Sequence, residues 1–111
     1  MGAVEQYQRI IRELLGDYVK IPYLNQDLAK EVLFDDVHAR YKVVTVGWQK
    51  GKRVHNCVIH LDVIGDKVWV QKDNTDIAIA RELERAGIPK TAIVLGFHDP
   101  ATRQRTDYAV A

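Results

Sequence analysis

The fold is decided by residues 41–72, YKVVTVGWQKGKRVHNCVIHLDVIGDKVWVQK. Val, Ile, Trp and Tyr dominate this stretch, and such β-branched and aromatic residues favour the pleated surface of a sheet. Two turn signals divide it. Lys50-Gly51 separates residues 41–49 from 52–64, and Gly65-Asp66 separates 52–64 from the run that begins at Lys67. Each fits a two-residue hairpin loop, in which glycine supplies the positive φ that the turn demands. A further strand over 31–35, entering through a less defined loop at 36–39, completes an antiparallel meander of about four strands.

The turns also fix a register. Setting Gln49 against Lys52 and counting back without interruption puts Val44 opposite Cys57 and Tyr41 opposite His60. Setting Ile64 against Lys67 puts Asp62 opposite Trp69 and His60 opposite Gln71. Side chains alternate along a strand. One face then carries Val44, Val46, Cys57, Ile59, Leu61, Val63, Val68 and Val70, and is expected to be core. The other carries Tyr41, Val43, Thr45, Val58, His60, Asp62, Trp69 and Gln71. A bulge in either hairpin would flip part of this assignment.

On both sides of the meander the period changes to that of a helix. Val4, Tyr7, Ile10, Ile11, Leu14, Leu15 and Tyr18 form one stripe with a 3.6-residue period. A helix is expected over 3–20, stopped by Pro22, as cover for the core face. Asn74 or Thr75 is expected to cap a second helix around Ile79 and Leu83, with Gly87 and Pro89 ending it. A short helical turn and an extended apolar piece follow over 89–97, then a polar tail closing on Tyr108-Ala109-Val110. The fold class is α+β, in a single domain spanning 1–111.

Composition narrows the function. Sixteen Lys and Arg against fifteen Asp and Glu leave a net charge of +1, which excludes a whole-domain basic field for DNA. The chain contains no serine, so no serine nucleophile exists. One cysteine, Cys57, excludes an internal disulfide and a multi-cysteine zinc site. Neither GxGxxG nor GxxxxGK[ST] occurs. The longest apolar run, 92–97, is far short of the roughly 20 residues of a membrane span. No secretory leader is visible at the start, so the cytoplasm is the expected compartment.

His60 and Asp62 point the same way and are placed to share a metal or a proton. A metal centre needs a third ligand, and none is near in sequence. The simpler reading is a hydrogen bond from His60 to Gln71 or Tyr41 within a half-covered face. Asp62, Asp66, Lys67, Asp73 and Asp76 supply nuclease residue types without a nuclease spacing. Cys57, read as facing the core, is a small hydrophobe rather than a nucleophile. Trp48 and Trp69 are candidate interface anchors. Lys50, Lys52 and Arg53, with His55 nearby, make one basic tip. Arg103 and Arg105 make another in the tail.

Several pieces follow one another in a definite order along the chain. They are the first helix ending in Tyr18 and Pro22; Val32-Leu33-Phe34-Asp35; Tyr41 with Val46-Gly47-Trp48-Gln49; Arg53-Val54; and Ile59-His60-Leu61-Asp62-Val63. Downstream follow Lys67-Val68-Trp69-Val70-Gln71, Thr75-Asp76, Ile93-Val94-Leu95-Gly96-Phe97-His98, Pro100 with Arg103, and Thr106-Asp107-Tyr108-Ala109-Val110. In this order these pieces resemble the XisI family, the fdxN element excision controlling factors, although Asp76 stands where that family usually has glutamate. The resemblance implies a role in programmed excision of a DNA element during heterocyst differentiation. Cutting and rejoining would belong to a separate recombinase. This chain would be a controlling factor paired with a companion, XisH-like and similar to nuclease-fold proteins. No catalytic residue and no cofactor come with the family.

Three readings follow. A non-enzymatic interaction protein would dock through Tyr41, Trp48, His60, Asp62, Trp69 and Gln71. A direct DNA-binding factor would bring Lys50, Lys52 and Arg53 beside Arg103 and Arg105. A small metal-dependent enzyme would centre on His60 and Asp62. The open sheet face also invites a homodimer, since an apolar and aromatic surface of that size is normally covered.

Overall fold

The computed structural model describes residues 2–24 and 27–111. The elements run α1 (Ala3–Val19), β1 (Asp27–Asp35), β2 (Arg40–Gln49), β3 (Lys52–Ile64), β4 (Lys67–Asp73), α2 (Ile79–Arg85), a 3-10 turn (Lys90–Ala92), β5 (Ile93–Leu95) and α3 (Pro100–Arg103). The fold is α+β. The sheet order is β1-β2-β3-β4-β5. The first four strands are antiparallel neighbours; the two glycine turns dictate this for β2, β3 and β4, and the 36–39 loop returns β1 to β2. β5 lies parallel to β4 and makes the sheet mixed. That direction is available because α2 supplies the long crossover a parallel pair needs. Ala109 bridges Val94 on the far side, so the tail borders β5.

Both turns form where expected, yet two bulges interrupt the registers. Val44 faces Cys57, but Val43 faces Ile59, so β3 gains one residue at Val58. Asp62 faces Trp69 and Leu61 faces Val70, but His60 faces Lys72, so β4 gains one at Gln71. The carbonyl of Val58 accepts from the Asn74 amide at 2.8 Å. That contact satisfies a backbone group the buried strand could not leave unpaired.

The bulges correct the face assignment. Tyr41, Val43, Thr45 and Val58 lie on the helix-covered face with Ile59, Leu61, Val63, Val68 and Val70, and all are buried. Val44, Val46 and Cys57 move to the opposite face. Tyr41 therefore meets Leu61, not His60, and His60 meets Lys72, not Gln71. The α1 stripe closes over the covered face with Ile10, Ile11 and Leu15, beside Ile79 and Leu83 of α2. Gly47 lets β1 approach: a Cβ there would lie 2.0 Å from the Asp27 carbonyl oxygen.

Polar groups on the covered side are tied down. The Tyr41 hydroxyl donates to Asp36 Oδ1 at 2.6 Å and accepts from Gln8 Nε2 at 2.9 Å. Arg12 of α1 reaches the same Asp36 carboxylate at 2.7 Å. The Tyr41 hydrogen bond and then Arg12 hold Asp36 below the usual carboxylate range, while burial pushes the Tyr41 hydroxyl up to about 12. Thr45 Oγ1 shares a 2.8 Å hydrogen bond with the Tyr23 hydroxyl.

The cap of α2 also differs from the sequence expectation. Neither Asn74 nor Thr75 caps it; Ala78 precedes it in the left-handed region with no side-chain cap. Asp73, the last residue of β4, takes over that role. Its Oδ2 accepts from the Ile79 amide at 2.9 Å, and its Oδ1 from the Thr75 amide at 3.1 Å. Among the described residues, no helix is long and apolar enough to cross a membrane.

Candidate functional site

The face turned away from α1 and α2 is only half covered, and it collects most of the sequence candidates. His60 and Asp62 are two apart on β3, so one pleat brings them together: His60 Nε2 lies 2.9 Å from Asp62 Oδ1. Gln71 Nε2 donates to the other oxygen, Asp62 Oδ2, at 3.3 Å. Gln71 follows Trp69 by two residues on β4 and shares its face, and the bulge at Gln71 brings Lys72, not Gln71, opposite His60. Asp62 stands opposite Trp69. The side chains of His60 and Asp62 are 27% and 14% exposed, so the pair is ordered yet reachable.

Gly96 packs under this cluster. A Cβ at Gly96 would fall 2.5 Å from Gln71 Oε1 and 3.0 Å from the Trp69 ring. The tail then covers Trp69 from above. The Arg103 guanidinium lies 5.2 Å from the Trp69 ring centroid, within cation–π reach. Its Nε donates to the His98 carbonyl at 3.1 Å and its Nη1 to that of Val110 at 2.8 Å. Arg103 thus clasps the tail onto the sheet and is not a free anion contact.

Tyr41 does not belong here. It is fully buried on the opposite face, because the Val58 bulge shifts the phase of β3 against β2. Trp48 does lie on the open face and is 50% exposed, but at the far end, with Arg53 over its ring at 5.4 Å. Lys50 and Lys52 flank the adjacent turn and are exposed, as is Arg105 in the tail. The basic tip and the tail do not converge. Ten residues of β3 separate Lys52 from Asp62, roughly 30 Å at the rise of a strand.

Cys57 is also corrected: it is partly exposed on the open face, not core. Its Sγ donates to the Ile59 carbonyl at 3.2 Å, so the thiol is engaged with backbone. Among the described residues no group of three His, Cys, Asp or Glu is arranged to hold a metal ion. The geometry offers a rigid hydrogen-bonded patch, Asp62 bridging His60 and Gln71 beside Trp69. Such a patch presents a fixed pattern of donors and acceptors to a surface laid on it.

Sequence reasoning missed three residues of the same face. Arg40 and Lys42 on β2 oppose Asp62 and His60, and Lys72 on β4 opposes His60 from the other side. The signal was local: in Arg40-Tyr41-Lys42-Val43 the alternation of charged and apolar residues already sends Tyr41 inward and both cations outward.

A crystal structure of a XisI-like protein from Anabaena variabilis ATCC 29413 superposes with a TM-score of 0.89 at 38% identity, covering 97% of this chain and 99% of that one. A second, of the fdxN element excision controlling factor XisI from the same organism, gives a TM-score of 0.84 at 32% identity, covering 99% and 100%. No curated protein sequence matches the chain. The model of the family described as XisI protein matches residues 1–110, and on that match the chain belongs to the XisI family.

Proposed function

We propose that this chain is a non-enzymatic controlling factor in the excision of a DNA element, and that it acts by docking on a companion protein through the open sheet face. Family membership supports the excision role, since a relative 32% identical is described as the fdxN element excision controlling factor. The single observation behind docking is the His60–Asp62–Gln71 network beside Trp69, hydrogen-bonded and partly exposed on the open face. Bond cutting and rejoining fall to a separate recombinase in this reading. The companion is an XisH-like protein of nuclease fold, and both work in the cytoplasm.

Pull-down with the product of the adjacent open reading frame tests the proposal. A complex at micromolar concentration is expected; its absence overturns the docking reading. Direct DNA binding is the competing account. The distance between the 50–53 tip and the tail argues against a continuous basic surface, and retardation of a duplex with a steep salt dependence would favour it. A homodimer through the same face is the other competitor, read by sedimentation of the chain alone.

A further inference from the structure

The register lines up Leu33 of β1, Lys42 of β2, His60 of β3 and Lys72 of β4 across the open face. Neighbouring strands lie about 4.8 Å apart, so two ammonium groups and an imidazole stand in one short row. Arg40 stands two residues along β2 on the same side. Among the described residues, Arg40, Lys42 and Lys72 make no ion pair and no side-chain hydrogen bond. Asp62 and Asp35 are already engaged. Asp62 holds His60 and Gln71. Asp35 accepts from the Val37 and His38 amides and lies 2.7 Å from the His38 ring. Glu31, opposite Val44, and Asp27, at the far end opposite Trp48, are the acids of this face left without a partner among the described residues. Arg40 stands between two carboxylates, opposite Asp35 on β1 and Asp62 on β3, but the like charges of Lys42 and Lys72 flank His60, and among the described residues no carboxylate pairs with either lysine.

The surface beside the row is apolar. Leu33 is 57% exposed, and a shallow cavity of about 290 Å³ opens between Leu33, Phe34, Asp35, Arg40 and Lys42. We infer that the occupant of this face is an acidic segment of a protein partner, its carboxylates on Lys42 and Lys72 and an apolar side chain in the cavity beside Leu33. The inference rests on the docking reading above and names the chemistry of what docks. Duplex DNA fits less well. The row spans only about two strand spacings, roughly 10 Å, too short to engage the several phosphates on which duplex binding rests. A second copy fits less well too, because stacking this face on itself would bring two basic rows together.

The test uses the full chain and three probes: a short peptide alternating glutamate and leucine, its glutamine–leucine counterpart, and a duplex oligonucleotide. The wild type is expected to bind the acidic peptide, more weakly as salt rises, and to ignore the glutamine peptide. Combined Lys42→Glu and Lys72→Glu substitution should weaken binding about tenfold or more. Reversing Arg9 and Lys20, exposed on α1, should leave it unchanged. If the double variant unfolds, Lys42→Gln with Lys72→Gln carries the same comparison. The inference is overturned by equal binding of the two peptides, by binding that survives the substitutions, by no binding at all, by preference for the duplex, or by a wild-type dimer that the double variant dissolves. The two readings fail separately. A companion complex that survives the double substitution leaves docking intact and removes the acidic occupant. No companion complex with wild type removes docking, while the peptide series still decides the chemistry of the face.

Discussion

Tyr41 and His60 occupy neighbouring strands, each a polar side chain among aliphatic ones, and the sheet sends them to opposite sides. Tyr41 is sealed beneath α1, and its hydroxyl joins Gln8, Arg12 and Asp36 into a brace between the helix and the β1–β2 turn. His60 closes its hydrogen bond within the open face, on Asp62, and carries unpaired cations on either side. The same strands thus hold a face whose polar groups serve the fold and a face whose polar groups are left for something else. The difference shows where stability and recognition reside.

Substitutions break the comparison in graded steps. The largest effect is expected from the covered face: Leu61→Ala, at a fully buried site, should cost about 2–5 kcal/mol in chemical denaturation. Asp73→Ala removes the acceptor for the Ile79 and Thr75 amides and should cost about 0.5–2 kcal/mol, the range for a lost helix cap. Tyr41→Phe should cost about 1 kcal/mol, since it deletes a hydroxyl with two partners while Asp36 stays hydrated.

A pH series sharpens the same contrast. Burial is the leading cause that raises Tyr18, Tyr41 and Tyr108 to about 12. The folded state therefore holds these protons more tightly than the unfolded chain. Their contribution is complete below the ordinary tyrosine value near 10, and is lost as pH climbs from there through about 12. Denaturation midpoints should fall across that window, less steeply in Tyr41→Phe. The smallest effect belongs to the open face: Lys42→Gln with Lys72→Gln should move stability by no more than about 0.5 kcal/mol.

Much of this architecture is legible in the residues. Lys50-Gly51 and Gly65-Asp66 mark both turns because backbone geometry restricts which residues can turn there. The α1 stripe is legible because burial of one helical face imposes its period. The bulges at Val58 and Gln71 carry no such mark, since an extra residue in a strand needs no special side chain. A register carried outward from a turn loses its phase at the first one, which misplaces Tyr41, Val44 and Cys57. The cap of α2 is hidden for another reason: Asp73 lies six residues before Ile79 and reaches it only through the fold. Ile93–Leu95 is apolar throughout and buried, so the run shows neither which strand it joins nor in which direction.

The candidate site divides in the same way. His60 and Asp62 are readable as a pair because two residues along one strand share a face. The row of Lys42, His60 and Lys72 is not, because both bulges must be known before the three fall into line.

The central claim is that the open face is the surface a partner covers. Amine labelling of the lysines, with and without the adjacent-gene product, tests it most directly. The account predicts that Lys42 and Lys72 lose reactivity in the complex while Lys20, at the end of α1, keeps it. Unchanged labelling of Lys42 and Lys72 in a formed complex would contradict it.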